Sequence, residues 1–420
     1  MRINRFHLAF GSMTLYWFLM SALSVTSGSV TKIAITSFLW ISAFTLLLNF
    51  YLNLNKARSQ FSHTGFLLII SVLVLNATNI ARGFLDSSST INTSFGNPYN
   101  ALALFAPLAC AFATNKTTLS RLTKYLMLLM VTGGVLAIVS FAIFGVGSKR
   151  QEISSAWILI YPMVFLIGSI AYVSRMEKYA IILVSILFIA YIGLIIGSRA
   201  TVLRLGMLYS FKWITMAPRR FITSYLYPFT IFILLVFAYQ TITTSVSEDE
   251  SFFQRSLTYL QDFSDQRLST TLANKADTRT FLYIEVVDDL IETDSLLFGK
   301  GSSGTYFSKY FQQTGDDAET RITVEVGFLA YLLKGGIIAA ALNLSLLLYA
   351  SFLAIYRSNS RYVKWIGFML ATHVLLLFVE NLLAFDLYNI CIWLFVGVCI
   401  SRDSLSLTDE EILKSLKRPN

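Results

Sequence analysis

Histidine and cysteine are scarce: three of each in 420 residues. His7, His63 and His373 show no metal-ligand spacing, so neither a metal centre nor a cofactor is expected. Cys110, Cys391 and Cys399 each lie inside an apolar run. They read as small hydrophobes, and a disulfide framework is excluded. Charge is scarce as well. Only 14% of residues are Asp, Glu, Lys or Arg, where a soluble domain carries about 25%. Hydrophobic residues make up 55% of the chain and the mean hydropathy is +0.63. Apolar runs of about 20 residues recur, long enough to cross a bilayer as helices. In hydrocarbon every backbone N–H and C=O must find its partner within the segment, so such runs should be helical. The fold class expected is an all-α polytopic membrane protein.

The net charge of +9 is unevenly spread. Residues 245–323 hold 14 of the 24 Asp and Glu residues and seven of the 33 Lys and Arg, or about −7. The rest carries 26 basic and ten acidic residues, about +16, mostly in short loops between apolar runs. That pattern fits the positive-inside rule of membrane topology better than a nucleic-acid-binding face. No nucleic-acid partner is expected.

The apolar pattern predicts twelve spans, at about 6–25, 32–52, 64–81, 98–113, 125–146, 156–173, 179–197, 200–216, 222–243, 336–356, 365–384 and 386–401. The N-terminal Met-Arg-Ile-Asn-Arg resembles a signal-peptide n-region. The apolar run after it is long, and it reads as a retained first span. Val324–Tyr356 is too long for one crossing and contains Lys334-Gly335-Gly336, so it divides into a short interfacial helix, about 324–334, and span 10. Four regions follow: spans 1–9 in 1–243, a large polar loop in 244–323, the interfacial helix and spans 10–12 in 324–401, and a tail in 402–420. Loops after even-numbered spans hold most Lys and Arg, which puts both termini in the cytoplasm and the large loop outside. The Asn-X-Ser/Thr matches at Asn76, Asn92, Asn115 and Asn343 are frequent by chance and carry no weight.

Chemistry is sought on the outer side. Within the loop, Thr280–Glu292 has apolar residues at helical spacing, and an amphipathic helix of about three turns is predicted there. Arg199 begins a span directly after Gly197-Ser198, and Arg204 lies deeper, where a charge facing lipid is costly. With Arg279 and Arg321 they are candidate phosphate contacts, because the planar guanidinium gives two parallel charge-assisted hydrogen bonds. The competing reading is a surface arginine or an ion pair, for instance Arg279 with Asp277. Gly299–Gly304 lacks the spacing of a nucleotide phosphate loop. Gly299 and Gly301 read as a tight turn, or as a place where backbone approaches a ligand. Among Asp277, Asp316, Asp317, Glu319 and Glu325, Glu325 stands out as a candidate general base because it opens an apolar run. Glu380, Asn381 and Asp386 fall at the outer ends of spans 11 and 12, where function and helix-end hydration compete. His373 reads as a packed, hydrogen-bonded residue.

Gly197-Ser198-Arg199-Ala200, Asp277-Thr278-Arg279, Leu297-Phe298-Gly299-Lys300-Gly301 and the run from Glu325-Val326-Gly327-Phe328 to Lys334-Gly335-Gly336-Ile337-Ile338 occur in that order. With about twelve spans and a large loop before the tenth, the chain resembles the O-antigen polymerase and ligase superfamily of bacterial inner-membrane glycosyltransferases. The resemblance implies a GT-C-like fold and metal-independent transfer from glycans on undecaprenyl pyrophosphate. Arg199 and Arg279 would hold the pyrophosphate, with Arg204 and Arg321 as further contacts. Membrane lipids and a chain-length regulator would be partners. The ligase branch has a histidine just before the helix that opens at Glu325. Here Arg321-Ile322-Thr323 stands in its place, which favours the polymerase branch and leaves the general base unassigned. Three functions are therefore weighed: a polymerase of lipid-linked repeat units, a ligase onto lipid A-core, and a flippase for the lipid-linked unit. The last is disfavoured because no internal repeat is visible.

Overall fold

The computed structural model describes residues 4–23, 29–85, 97–115, 117–130, 165–166, 176, 178–183, 280–308, 320–378 and 380–417. Arg199, Arg204 and Arg279, and most of spans 5 to 9, lie outside the described residues. The described chain is mostly helical. Three helices are long and apolar enough to cross a membrane, Ile35–Gln60, His63–Phe84 and Gly327–Arg357, and two shorter apolar helices accompany them. These helices mark a membrane-embedded protein.

The N-terminal elements are α1 (Arg5–Leu23), α2 (Ser29–Gln60), α3 (His63–Leu85) and a 3-10 helix (Ala101–Thr114). Residues 118–130 are helical. After the undescribed stretch come α4 (Thr280–Glu292), a two-stranded antiparallel pair of β1 (Tyr306–Phe307) and β2 (Thr320–Arg321), then α5 (Gly327–Arg357), α6 (Arg361–Leu376), α7 (Leu387–Ile400), α8 (Arg402–Ser406) and α9 (Asp409–Lys417).

All fourteen residues of α7 are buried, so it is the innermost helix described. It is apolar all round, as a helix without a solvent face must be. The 3-10 helix, α5 and α6 pack around it. Gly397 lets the 3-10 helix come close: a Cβ there would lie 2.3 Å from the Cys110 carbonyl oxygen. Small residues set such distances between helices in lipid, where van der Waals packing is the main attraction. The 3-10 helix itself is unusually long, and alanine-rich around Pro107. At a rise of ~2.0 Å per residue, fourteen residues reach ~28 Å, close to the ~30 Å hydrocarbon thickness. As an α-helix the same run would reach only ~21 Å.

The bundle has two distinct ends. At the tail end, the Ser62 N–H donates to the Ile400 carbonyl (2.9 Å) and the Asn359 N–H to the Leu405 carbonyl (3.0 Å). Gln60 donates to Asp403 (2.9 Å). The C-terminal tail therefore covers the α2–α3 and α5–α6 turns. Asn4 and Arg5 lie at this end too, sharing a pocket with Lys56 and Arg121. At the loop end, the Phe385 N–H donates to the Pro98 carbonyl (2.7 Å) and α3 meets the glycine cluster. Phe44, Leu48, Leu52 and Val74 are at least half exposed on α2 and α3. They form the apolar exterior that lipid covers.

Three boundaries differ from the hydropathy reading. Helix α2 continues to Gln60, past the apolar run, because its polar final turns dock on the tail. The run at 98–113 is a 3-10 helix. Helix α6 stops at Leu376, and the described residues among 377–386, all but 379, are irregular. There the carbonyls of Leu377 and Glu380 accept from the amides of Phe328 (2.9 Å) and Gly327 (3.2 Å). The segment that leaves α6 satisfies the first turn of α5, whose amides have no partner of their own.

Candidate functional site

Helix α5 is broken near its start. Gly336 has φ 67° and ψ −166°, so Gly327–Gly335 and the longer run after it are two helices across a kink. Lys334-Gly335-Gly336 explains the break. Glycine costs helix stability and reaches positive φ without strain. The free backbone groups at the break are met by the glycine loop. Carbonyls of Leu333 and Lys334 accept from the amides of Lys300 (2.7 Å) and Gly301 (3.0 Å). Beyond the kink, the amides of Ile337 and Ile338 donate to the carbonyls of Leu296 (3.0 Å) and Leu297 (3.3 Å). Such contact needs missing side chains on both partners. A Cβ on Gly299, where φ is 64°, would lie 2.4 Å from the Gly335 nitrogen, and one on Gly336 would lie 2.2 Å from the Leu297 carbonyl.

The loop is also clamped from α3 and α4. The Arg82 guanidinium donates to the carbonyls of Phe298 (2.5 Å) and Gly299 (2.6 Å). The Ser302 N–H donates to the Asn79 carbonyl (2.9 Å) and Ser303 Oγ to the Gly83 carbonyl (2.9 Å). Lys300 Nζ pairs with Asp289 of α4 at 2.5 Å. The amides of Gly299, Lys300, Gly301 and Ser302 all donate to protein carbonyls. They are therefore spent on the protein, and Gly299 and Gly301 serve the approach of one backbone to another.

Directly below the break is a small cavity between α3, α5, α7 and the 3-10 helix, apolar over most of its surface with polar groups set into it. Lys334 lines it, with Asn76, Asn79, Asn343, Asn381, Asn389, Tyr99 and Tyr331. Its volume is about 30 Å³. In this conformation it takes water, since one water needs roughly 10–15 Å³ on that measure. Most of the asparagine amide groups are anchored on backbone. Asn76 Nδ2 donates to Leu104 (3.0 Å), Asn343 to Ala339 (2.8 Å), Asn381 to Val324 (2.6 Å) and Asn389 to Ala384 (3.0 Å). The Oδ1 atoms of Asn79 and Asn389 have no partner among the described residues. Lys334 is 8% exposed. No carboxylate lines the cavity, and among the described residues no ion pair reaches the Lys334 ammonium. A buried charge is costly unless something compensates it. The cavity thus offers a lysine amine and free acceptor oxygens, a set that suits a ligand with both hydroxyl donors and anionic oxygens.

Arg321 and Glu325 both lie close enough to Tyr306 to act on its hydroxyl. Tyr306 is opposite Arg321 in the β1–β2 pair. Burial pushes the Tyr306 hydroxyl up to about 12. The Arg321 guanidinium beside it opposes the rise, and the Glu285 and Glu325 carboxylates add to it. Tyr306 is therefore a neutral hydroxyl at physiological pH. Glu285 is held by Ser308, whose Oγ donates to it at 2.5 Å. Arg321 is half-buried and Glu325 is exposed. Ile322, Thr323 and Val324, which connect them, form part of the cavity wall. Helix α4 supports this corner with Leu282, Val286 and Leu290 buried, and Tyr283 donates to the Phe378 carbonyl at 2.6 Å.

The remaining polar candidates have structural roles. Asp386 caps α7, accepting from the Asn389 N–H at 2.8 Å. Asn381 ties Val324 to Leu383 through both ends of its amide. His373 Nδ1 is 3.2 Å from the Tyr388 hydroxyl in the core. Sequence reasoning passed over Lys334 as a ligand group, and weighed Asn76 and Asn343 only as glycosylation matches. The signal was present in their type. Each is a polar side chain in a membrane-spanning run, and such residues face the bundle interior or a polar cavity. Comparison with protein-family models, with curated proteins and with solved structures finds no match.

Proposed function

We propose that this chain is a surface-polysaccharide (O-antigen) polymerase, a metal-independent glycosyltransferase that joins undecaprenyl-pyrophosphate-linked repeat units. The observation that carries the reading is Lys334. It is a buried lysine at a helix break, lining a cavity at the loop end with five asparagines and no carboxylate. A lipid-linked donor keeps its tail in the bilayer and its sugars outside. Its pyrophosphate becomes a leaving group once its charge is neutralised, and preorganised cations stabilise the charge that develops on it. Arg321 is one such cation, the Lys334 amine becomes another once an anion beside it holds its proton, and the resemblance adds Arg199, Arg204 and Arg279. Glu325 and Glu285 are the carboxylates near enough to Arg321 and Tyr306 to take a proton from an acceptor hydroxyl. The cavity must widen to admit sugar, and the loop clamped over it is the element that would have to shift.

The reading includes a GT-C-like bundle of twelve spans in a bacterial inner membrane, both termini cytoplasmic and the large loop periplasmic. The tail and the N-terminal residues lie at one end of the bundle and the loop at the other, which supports an even number of crossings. A ligase is the second reading, and Arg321-Ile322-Thr323 in place of a histidine counts against it.

Deleting the gene and running the cell's lipopolysaccharide on a gel separates the alternatives. Core with a single repeat supports the polymerase. Bare core with accumulating lipid-linked polymer supports the ligase. Bare core with unpolymerised lipid-linked units supports a flippase. Arg199→Ala, Arg279→Ala and Lys334→Ala are each expected to abolish the long-chain ladder while the protein still inserts. A normal ladder in all three would overturn the phosphate site.

A further inference from the structure

A second polar pocket lies at the opposite, tail end, between the start of α1, the last turns of α2 and the end of the 3-10 helix. It measures about 350 Å³, large enough for a phosphate and the small polar group attached to it. Arg5, Lys56 and Arg121 line it, and no carboxylate does. Among the described residues none of the three is in an ion pair. On the inner wall is Asn49, 6% exposed. Its Oδ1 accepts from Asn53 Nδ2 at 3.0 Å, while its own Nδ2 hydrogens have no acceptor among the described residues. Thr118, the first residue of the helical stretch 118–130, also lines the pocket. Its N–H and hydroxyl already donate to the carbonyls of Asn115 (3.0 Å) and Phe112 (2.6 Å). Three cations and an unsatisfied buried amide line one space, and every one of them is a hydrogen-bond donor.

We infer that this pocket binds a phosphate group, carried by an anionic phospholipid headgroup or by a soluble phosphate compound. Two guanidinium forks suit the tetrahedral oxygens, the Lys56 ammonium adds a point charge, and Asn49 supplies the deep donor. The surroundings fit a lipid: Leu48, next to Asn49 on α2, and Leu52, about one turn on, are 50% and 56% exposed, so an acyl chain can run along them from a headgroup in the pocket. Basic pockets of this kind between membrane helices hold acidic lipid headgroups. The site is separate from the loop-end cavity, and the inference stands whether or not the glycosyltransferase reading does.

The test uses the full-length protein in nanodiscs of phosphatidylcholine with or without phosphatidylglycerol, with retained lipid read by native mass spectrometry. The triple variant Arg5→Gln, Lys56→Gln, Arg121→Gln is compared with a control triple at the same end, Arg357→Gln, Arg402→Gln, Lys414→Gln, which removes equal charge. The pocket triple should lose retained phosphatidylglycerol by about tenfold or more, and the control by much less. Asn49→Leu, which keeps every charge, should weaken retention several-fold and guards against a pocket triple that fails to fold. Thermal protection of the wild-type protein by inorganic phosphate in nanodiscs without phosphatidylglycerol, set beside the protection given by phosphatidylglycerol, reads the soluble source. Retention that needs the lipid assigns the headgroup, and phosphate protection of equal size assigns the soluble anion. Equal loss in both triples, or unchanged retention in Asn49→Leu, overturns the site.

Discussion

Lys334 and Gly336 are two positions apart, and their substitution should have opposite effects on stability. Replacing Lys334 with methionine removes a buried amine, costly to bury as a charge and without a carboxylate on the cavity wall, and keeps a similar shape. Apolar substitution of buried charge is often neutral or stabilising by about 1–4 kcal/mol. Lys334→Met is therefore expected to melt at or above the wild-type temperature in detergent while losing the polysaccharide ladder. A fall in both would mean that Lys334 is structural. Gly336→Ala places a Cβ against the Leu297 carbonyl at positive φ. Strain of this kind costs about 1–3 kcal/mol before the clash is counted, so a lower melting temperature and less monodisperse protein are expected. Arg82→Ala removes both donors that hold the Phe298 and Gly299 carbonyls. Hydrogen bonds to charged groups contribute about 1.5–3 kcal/mol each, and hydrogen exchange at residues 296–304 should rise by at least an order of magnitude in this variant.

Among the elements, α4 joins the polar segment to the bundle. Its buried stripe of Leu282, Val286 and Leu290 is its hold on the rest. Leu290→Ala should destabilise this corner by about 2–5 kcal/mol. Limited trypsin digestion should then cut at Lys300 or Arg321 well before the membrane helices are touched. Unchanged digestion would mean that the loop is held by Arg82 and the helix break alone. This element was legible in the sequence, since Phe281, Leu282, Val286 and Leu290 recur at helical spacing, and the helix found is Thr280–Glu292. The break in α5 was legible as well, because the apolar run was too long for one crossing and held two adjacent glycines. The 3-10 helix was not, because an alanine-rich run has no periodicity that separates 3.0 from 3.6 residues per turn. Nor was the cavity. Asn76 and Asn79 come from α3, Asn343 from α5 and Asn389 from α7, and hydropathy gives each helix a depth without giving it a neighbour. The partnering of Arg321 with Tyr306 was hidden for the same reason, since fifteen positions and a strand pairing separate them.

For the whole molecule, the two ends divide the chemistry. The loop end holds Lys334, Arg321 and the clamped glycine cluster, while the tail end holds Arg5, Lys56 and Arg121 in a separate pocket. Positive-inside reasoning assigns the tail end to the cytoplasm. A reporter active only outside the cytoplasm should work when fused after Thr293 and fail when fused after Lys417. Activity at Lys417 alone would reverse the orientation and with it the proposed periplasmic chemistry, and activity at both sites would overturn the placement of loop and tail on opposite sides.

The mutual filling of the glycine loop and the broken helix also bears on how the protein is made. Residues 296–301 leave the ribosome before residues 333–338, yet each supplies the hydrogen bonds the other lacks. Until both are present, four carbonyls and four amides at the membrane boundary have only water to pair with, and hydrocarbon offers none. The first half of α5 cannot settle as a finished span by itself, and the loop cannot settle without it. A chimera that exchanges this loop with a related protein should assemble only when the stretch around Lys334-Gly335-Gly336 is exchanged with it.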